Sequence, residues 1–187
     1  MGRPGFKPGG RRQALPGGFD SHSPPPYFRG SCCKAWARIA RVSMLIAGFE
    51  FPDDVWVLID HQVWARAEPS GLYRVGITSV GIAQAGEIYM CRPRQAGTEV
   101  EQGRAIAVVE LAKSIVSVKS PISGRVAQIN PQLAGEPERV YQDPYGEGWL
   151  ALLEASRVHE ERDSLTRGEM LVQAMQRYLW LNPVSAP

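Results

Sequence analysis

The chain has 187 residues, 44% hydrophobic and 21% charged, an ordinary globular balance with no apolar run long enough to span a membrane as a helix. Its net charge of +2 is uneven: residues 1–43 hold eight Lys or Arg against one Asp, residues 44–156 nine against fourteen acids, and residues 157–187 four of each. The total therefore gives no reason to invoke nucleic acid as a partner, and among 21 basic residues only Lys7, Lys34, Lys113 and Lys119 are lysine.

Residues 1–43 contain seven Gly and six Pro, including Pro24-Pro25-Pro26, and show no sustained apolar period. Such a segment buries too little surface to offset its ordering entropy, so it reads as a disordered basic leader. Arg11-Arg12 is followed by polar, Pro/Gly-rich sequence rather than the apolar stretch of an export signal. Met44, where ordered-looking sequence begins, is an alternative start of translation. Cys32, Cys33 and Cys91 are odd in number, and the vicinal pair lacks C-x-x-C spacing. This usage fits a reducing cytoplasm and no disulfide framework. His22, His61 and His159 stand apart without partners at ligand spacing, so no metal is expected.

From Glu50 onward the texture changes. Leu72 to Ile77 alternates as a strand, and Thr78-Ser79 offers an N-cap for a short helix through Ala85 that Gly86 ends. Strand-like sequence returns at Glu87 to Cys91, and Pro93 and Gly97 bracket a loop. A turn at Gly103 leads into Ala105 to Glu110, then Ile115 to Lys119, the turn Pro121 to Gly124, and Arg125 to Ile129. Short strands broken by Pro/Gly turns about every ten residues indicate a mainly β sandwich or barrel. Near the end, Thr166-Arg-Gly-Glu169 matches a capping box. Leu171, Ala174 or Met175, and Tyr178 or Leu179 then recur at helical spacing until Pro183, which predicts a C-terminal helix laid across the β domain. The domain expectation is a leader over 1–43, a β domain over 44–157, and a helix and tail over 158–187.

Between two β-rich runs lies Glu110-Leu-Ala-Lys-Ser114. A lysine at the tip of a tight hairpin is fully presented to solvent, the geometry that a covalently attached swinging cofactor requires. Arginine would serve solubility as well but cannot be acylated in this way. On the residues alone an ordinary solvent-exposed turn lysine stays open beside that reading, and no nucleophile–base constellation or phosphate-binding glycine loop is found in the chain.

The chain resembles the glycine cleavage system H-protein family of lipoyl carriers. The resemblance runs in order through Val75-Gly-Ile-Thr78, Gly86-Glu-Ile88, Gly97-Thr-Glu-Val100, Val108-Val-Glu-Leu-Ala-Lys113, Ser120-Pro-Ile-Ser-Gly124, Asn130 and Asp143-Pro-Tyr-Gly-Glu-Gly-Trp-Leu150. It covers roughly Phe51 to Ser156 and extends more loosely into the final helix. The resemblance implies a lipoyl-domain barrel-sandwich hybrid, a flattened barrel of short strands with short flanking helices and a C-terminal helix. It implies lipoate on Lys113 as N6-lipoyllysine, with Glu110 helping the lipoylating enzyme, a lipoate ligase or lipoyltransferase, to recognise the turn. Lys119 matches no attachment site. Biotin carriers share the architecture, but their lysine sits between methionines, where this chain has Ala112 and Ser114.

The family's role implies an arm that shuttles an aminomethyl group from glycine decarboxylase to aminomethyltransferase and is reoxidised by dihydrolipoyl dehydrogenase. Departures leave a second branch open. Glu110-Leu-Ala-Lys-Ser114 stands where the family has approximately E-S-V-K-A, and Gln62-Val-Trp-Ala-Arg66 where it has H-E-W-V-R. Pro52-Asp-Asp54 and Val118-Lys-Ser-Pro121 are similar to lipoate-binding proteins that serve heterodisulfide-reductase-like sulfur oxidation through sulfur-oxidising redox subunits. A non-lipoylated scaffold module is the third alternative. Either carrier role implies a cytoplasmic protein without membrane or nucleic-acid partners. His61, Trp64 and Trp149 are the residues expected by resemblance to line a cleft for the loaded arm.

Overall fold

The computed structural model describes residues 1, 2 and 43–186. The leader expected over 1–43, with Lys7, Lys34, His22, Cys32 and Cys33, lies almost wholly outside the described residues. A hairpin of β1 (Ser43–Ile46) and β2 (Phe49–Pro52) takes in Met44. Then follow β3 (Trp56–Leu58), a 3-10 turn at Ile59–His61, β4 (Val63–Ala67), β5 (Tyr73–Ile77), helix α1 (Ser79–Ala85) and β6 (Ile88–Pro93). The chain continues through β7 (Glu99–Val100), β8 (Ala105–Leu111), β9 (Ile115–Lys119) and β10 (Gly124–Ile129). It closes with α2 (Arg139–Gln142), β11 (Ala151–Ala155), α3 (Val158–Glu161) and α4 (Glu169–Leu181).

Two open sheets face each other. One runs β3-β4-β5-β11-β10-β7 and the other β6-β8-β9, with every pairing antiparallel. Val63, Ala65, Val75 and Ile77 from the larger sheet meet Cys91, Ile106, Val109 and Val118 from the smaller in the main core. This is the flattened pair of short sheets that the family resemblance implies, and it agrees with the β sandwich or barrel read from the spacing of strands and turns.

A second core lies on the other side of β4. Ile46, Phe49, Phe51, Val57 and Trp64 pack there against Leu171 and Met175 of α4. Successive side chains of a strand point to opposite faces, so Trp64 joins the second core while Val63 and Ala65 join the first. Strand β4 is thus buried on both faces, which is why its sequence is nearly continuous in apolar residues. Helix α4 lies across the β domain as its period predicts.

The expected cap of that helix is different. Gly168, at φ +61°, is the N-cap residue and makes no side-chain cap. Thr166 instead donates its hydroxyl to Val57 O at 3.2 Å, and Thr166 and Val57 exchange two backbone hydrogen bonds of 2.9 Å. A bridge to the edge of β3 satisfies Thr166 better than the helix end does, because it pairs two backbone groups as well as the hydroxyl. By contrast, Thr78 does cap α1, accepting from Gly81 N at 3.0 Å, and Gly86 ends the helix at φ +80°.

Candidate functional site

Strands β8 and β9 form a tight hairpin in which Leu111 N donates to Ser114 O at 2.8 Å. Only Ala112 and Lys113 lie beyond that bond. Neither takes a left-handed conformation, so the tip needs no glycine. Lys113 is exposed and makes no hydrogen bond or ion pair with any described residue. Nothing has to be broken to present its amine.

Glu110 sits one residue before the closing bond, on the outward row of β8. It is exposed, with Met90 of β6 on one side and Ile115 of β9 on the other. Ile115 is 72% exposed. The carboxylate and two apolar side chains therefore share the outer face of the sheet that carries Lys113, as neighbouring cross-strand positions do.

A groove of about 570 Å³ opens beside this hairpin. Leu111, Ser114, Val116 and Val118 form one wall. Strand β9 is an edge strand whose outer side pairs with no strand among the described residues. Across from it stand His61 and Gln62 of the 3-10 turn, Ile77 of β5, and the α1 face bearing Gly81 and Gln84. Gln84 and Tyr178 of α4 join side chains at 3.1 and 3.2 Å and complete that wall. Asp60 and Lys119 are the charged residues in the lining.

Of the three residues expected to form a cleft, only His61 lines this groove. Trp64 is fully buried in the second core, donating Nε1–H to Ile77 O at 3.0 Å and packing at a tilt of 43° against the Tyr145 ring, 5.8 Å between centroids. It has no free face to shelter anything. Trp149 is half-buried, with the Arg74 guanidinium 5.4 Å above its ring, and it is not among the residues lining the groove. Gln84, Tyr178 and Lys119 went unrecognised as lining because the walls come from segments distant in sequence, and no local pattern brings them together.

Among the described residues no three His, Cys, Asp or Glu side chains are placed to hold a metal ion. No helix there is long and apolar enough to cross a membrane. Cys91 is a free thiol buried in the main core, and burial pushes its pKa up to about 12, so it is protonated and unreactive at neutral pH.

Residues 56–178 match the family described as Glycine cleavage H-protein. The chain belongs to this family. It is 34% identical over 132 residues to glycine cleavage system H protein 2 of Aquifex aeolicus, a match covering 71% of this chain and 82% of that one. A 39% identity over 111 residues relates it to the glycine cleavage system H protein of Halorhodospira halophila, covering 59% of this chain and 85% of the relative. In the solved structures it is similar to a glycine cleavage system H protein from Mycobacterium marinum, with a TM-score of 0.55 and 28% identity, over 72% of this chain and all of that one. H proteins are non-catalytic carrier subunits whose group is lipoate, and their place is the glycine cleavage system.

Proposed function

We propose that Lys113 carries lipoate in amide linkage and that the protein is a cytoplasmic swinging-arm carrier. The single observation behind this reading is the unpartnered lysine at the two-residue tip of the β8–β9 hairpin. The residues around it fit the group. The hairpin is rigid up to its last bond, the tip is open to a modifying enzyme, and the apolar wall of the adjoining groove suits an aliphatic chain. Bound lipoate would supply a dithiolane that opens to accept a group and closes again on reoxidation. Leu111, Val116 and Val118 would exclude water from the resting arm, and Glu110 would give a lipoate ligase or lipoyltransferase a charged contact three residues from its target. The buried free thiol of Cys91 agrees with a reducing compartment.

In the family's own cycle the carrier would pass an aminomethyl group between glycine decarboxylase and aminomethyltransferase and be reset by dihydrolipoyl dehydrogenase. A second client, a sulfur-oxidising redox assembly, is favoured by a specific pattern among the relatives. Three of them are H proteins 2, 3 and 5 of a single organism, Aquifex aeolicus. Several carriers kept in one cell are most simply explained by different clients.

The decisive experiment is intact mass after incubation with a lipoate ligase, lipoate and ATP. The native chain should gain one lipoyl increment and Lys113→Arg none; a lipoylated Lys113→Arg protein would defeat the assignment. Glycine–bicarbonate exchange with glycine decarboxylase then separates the clients, since a fully lipoylated carrier that supports no exchange serves the second.

A further inference from the structure

We propose that a second pocket, separate from the groove beside the hairpin, is a binding site for a small aromatic monocarboxylate. Trp56 and Tyr73 would flank its ring, and Arg162 and His159 would take its carboxylate. The site owes nothing to Lys113.

The pocket measures about 120 Å³. An apolar cavity of about 150 Å³ is enough to admit benzene, so this one is of ring size. Ala65 of β4 lines it, with Trp56 paired opposite on β3 and Tyr73 diagonal to it on β5. An alanine beside two large rings leaves the space between them unfilled. Ile122 and Leu165, both buried, complete an apolar interior. Val63 and Ala65 are successive positions on one face of β4, and Val63 lines the groove whereas Ala65 lines the pocket. No residue lines both.

Its rim carries donors and no acid. From α3 into the 3-10 turn at Arg162–Ser164, Val158, His159, Arg162 and Leu165 face the pocket. Glu160, Glu161 and Asp163 of the same run line a different cleft, where Glu161 accepts from Ser123 N at 2.7 Å. Helical spacing thus sorts the charges, turning the cations one way and the carboxylates the other. The Arg162 guanidinium lies 4.6 Å from the centre of the Trp56 ring and makes no hydrogen bond or ion pair with any described residue. Stacking occupies its planar face and leaves its N–H edge unused, the edge that binds a carboxylate. Arg167 also approaches Trp56, at 5.6 Å, but its Nε donates to Asp53 O at 2.6 Å and it does not line the pocket. His159, exposed at the rim, offers an N–H in either of its protonation states. An aromatic carboxylate fills the apolar space and engages the free donors together. A neutral ring gains the burial alone, and a cationic one meets a like charge.

The full-length protein tests this by titration with benzoate, followed through the backbone amide shifts of Ala65, Tyr73 and Val158. Benzyl alcohol and benzylamine are the neutral and cationic counterparts, and acetate is the carboxylate without a ring. Benzoate should bind saturably and about three- to tenfold more tightly than benzyl alcohol or acetate, with benzylamine weakest. Arg162→Gln, at an exposed position, should abolish the preference for benzoate over benzyl alcohol, whereas Arg167→Gln should keep it. Lys113→Arg should bind benzoate as the native chain does. Shifts that never saturate, equal affinity for the three ring compounds, or an undiminished preference in Arg162→Gln would overturn the site. So would an equal loss in Arg167→Gln, which would reduce the effect to general surface charge. Loss of binding in Lys113→Arg, with shifts centred on Gln84 and Val116, would move the ligand to the groove and overturn the site as well.

Discussion

Thr78 donates its hydroxyl hydrogen to Gln62 Oε1 at 2.6 Å, and both side chains are buried. The same hydroxyl oxygen accepts from Gly81 N at 3.0 Å, and Thr78 N donates to Gln62 O at 2.9 Å. One threonine therefore fixes the start of α1 against the turn that precedes β4, and those two elements are a wall of the groove. Gln62 is held at φ +52°, a conformation that a residue other than glycine or asparagine rarely adopts without such support.

Replacing Thr78 by Val keeps the shape and removes both bonds. The Gln62 side-chain Oε1 is then buried without its donor and Gly81 N loses its cap, so Thr78→Val should cost about 2–4 kcal/mol. Thr78→Ser should recover most of the loss. Urea unfolding of the three proteins checks this; equal stability of the Val and Ser variants would contradict it.

Gly76 is a packing requirement of β5. A Cβ there would lie 2.6 Å from two ring carbons of Trp64, which is fully buried and bonded through its indole nitrogen to Ile77 O. The ring cannot retreat without losing that bond or displacing its neighbours. Gly76→Ala should cost about 1–3 kcal/mol by overpacking and should shift the Trp64 emission, whereas an Ala at exposed Gly135, which has open space around it, should leave the emission unchanged.

Much of this architecture is legible in the sequence, and the exceptions share a cause. Strands β5, β8, β9 and β10 and helix α1 follow local rules of alternation, capping and turn chemistry, and the structure has them within a residue or so of where those rules place them, whereas β6 runs on to Pro93 and the two-residue β7 lies in sequence that reads as loop. The hairpin bearing Lys113 is legible for the same reason. The second core is not, since Phe49 and Phe51 meet Leu171 and Met175 across more than half the chain, and no local period reports that meeting. Thr166-Arg-Gly-Glu169 carries the right residues for a capping box, yet Thr166 has a stronger use at the edge of β3. The groove is the extreme case, since its walls join the edge strand β9 to the 3-10 turn at Ile59–His61, helix α1 and Tyr178 of α4, segments that no local period brings together.

Two buried acids set the alkaline limit. Burial raises Cys91 from an ordinary 9.0 to about 12; burial likewise raises Tyr145 from 10.0 to about 12, opposed by its hydrogen bonds with Ser79. Both folded values lie above the unfolded ones, so the unfolded chain releases these protons first as pH rises. Stability should be unaffected by these groups below pH 9.0, then fall by about 1.4 kcal/mol per pH unit for each proton until about pH 12. Cys91→Ala should delay the onset toward pH 10.0, where Tyr145 begins to contribute. Urea midpoints measured across this range test the order; an onset unchanged by the substitution would rule out the thiol's contribution.

The stretch from Asp143 to Leu150, the most recognisable of the family's blocks in this chain, is held in place by a distant residue. Asn130 is buried, and its Nδ2 donates to Glu147 O and Trp149 O, each at 2.8 Å. Its Oδ1 accepts from Gln132 N at 3.1 Å. Within the block, Glu147 N donates to Asp143 Oδ2 at 2.9 Å, and Tyr145 reaches back to accept from Ser79 N at 3.1 Å. Asn130→Asp is nearly isosteric but puts a carboxylate oxygen against two carbonyl oxygens. Both donors vanish and a buried charge faces lone pairs, so the variant should lose about 2–4 kcal/mol at neutral pH. Protonation restores one donor, which makes the loss shrink as pH falls. That sign separates the bond from simple misfitting, which would be the same at every pH. Urea midpoints of Asn130→Asp relative to the native chain at mildly acidic and neutral pH are the measurement, and a pH-independent difference would argue against the hydrogen-bond account.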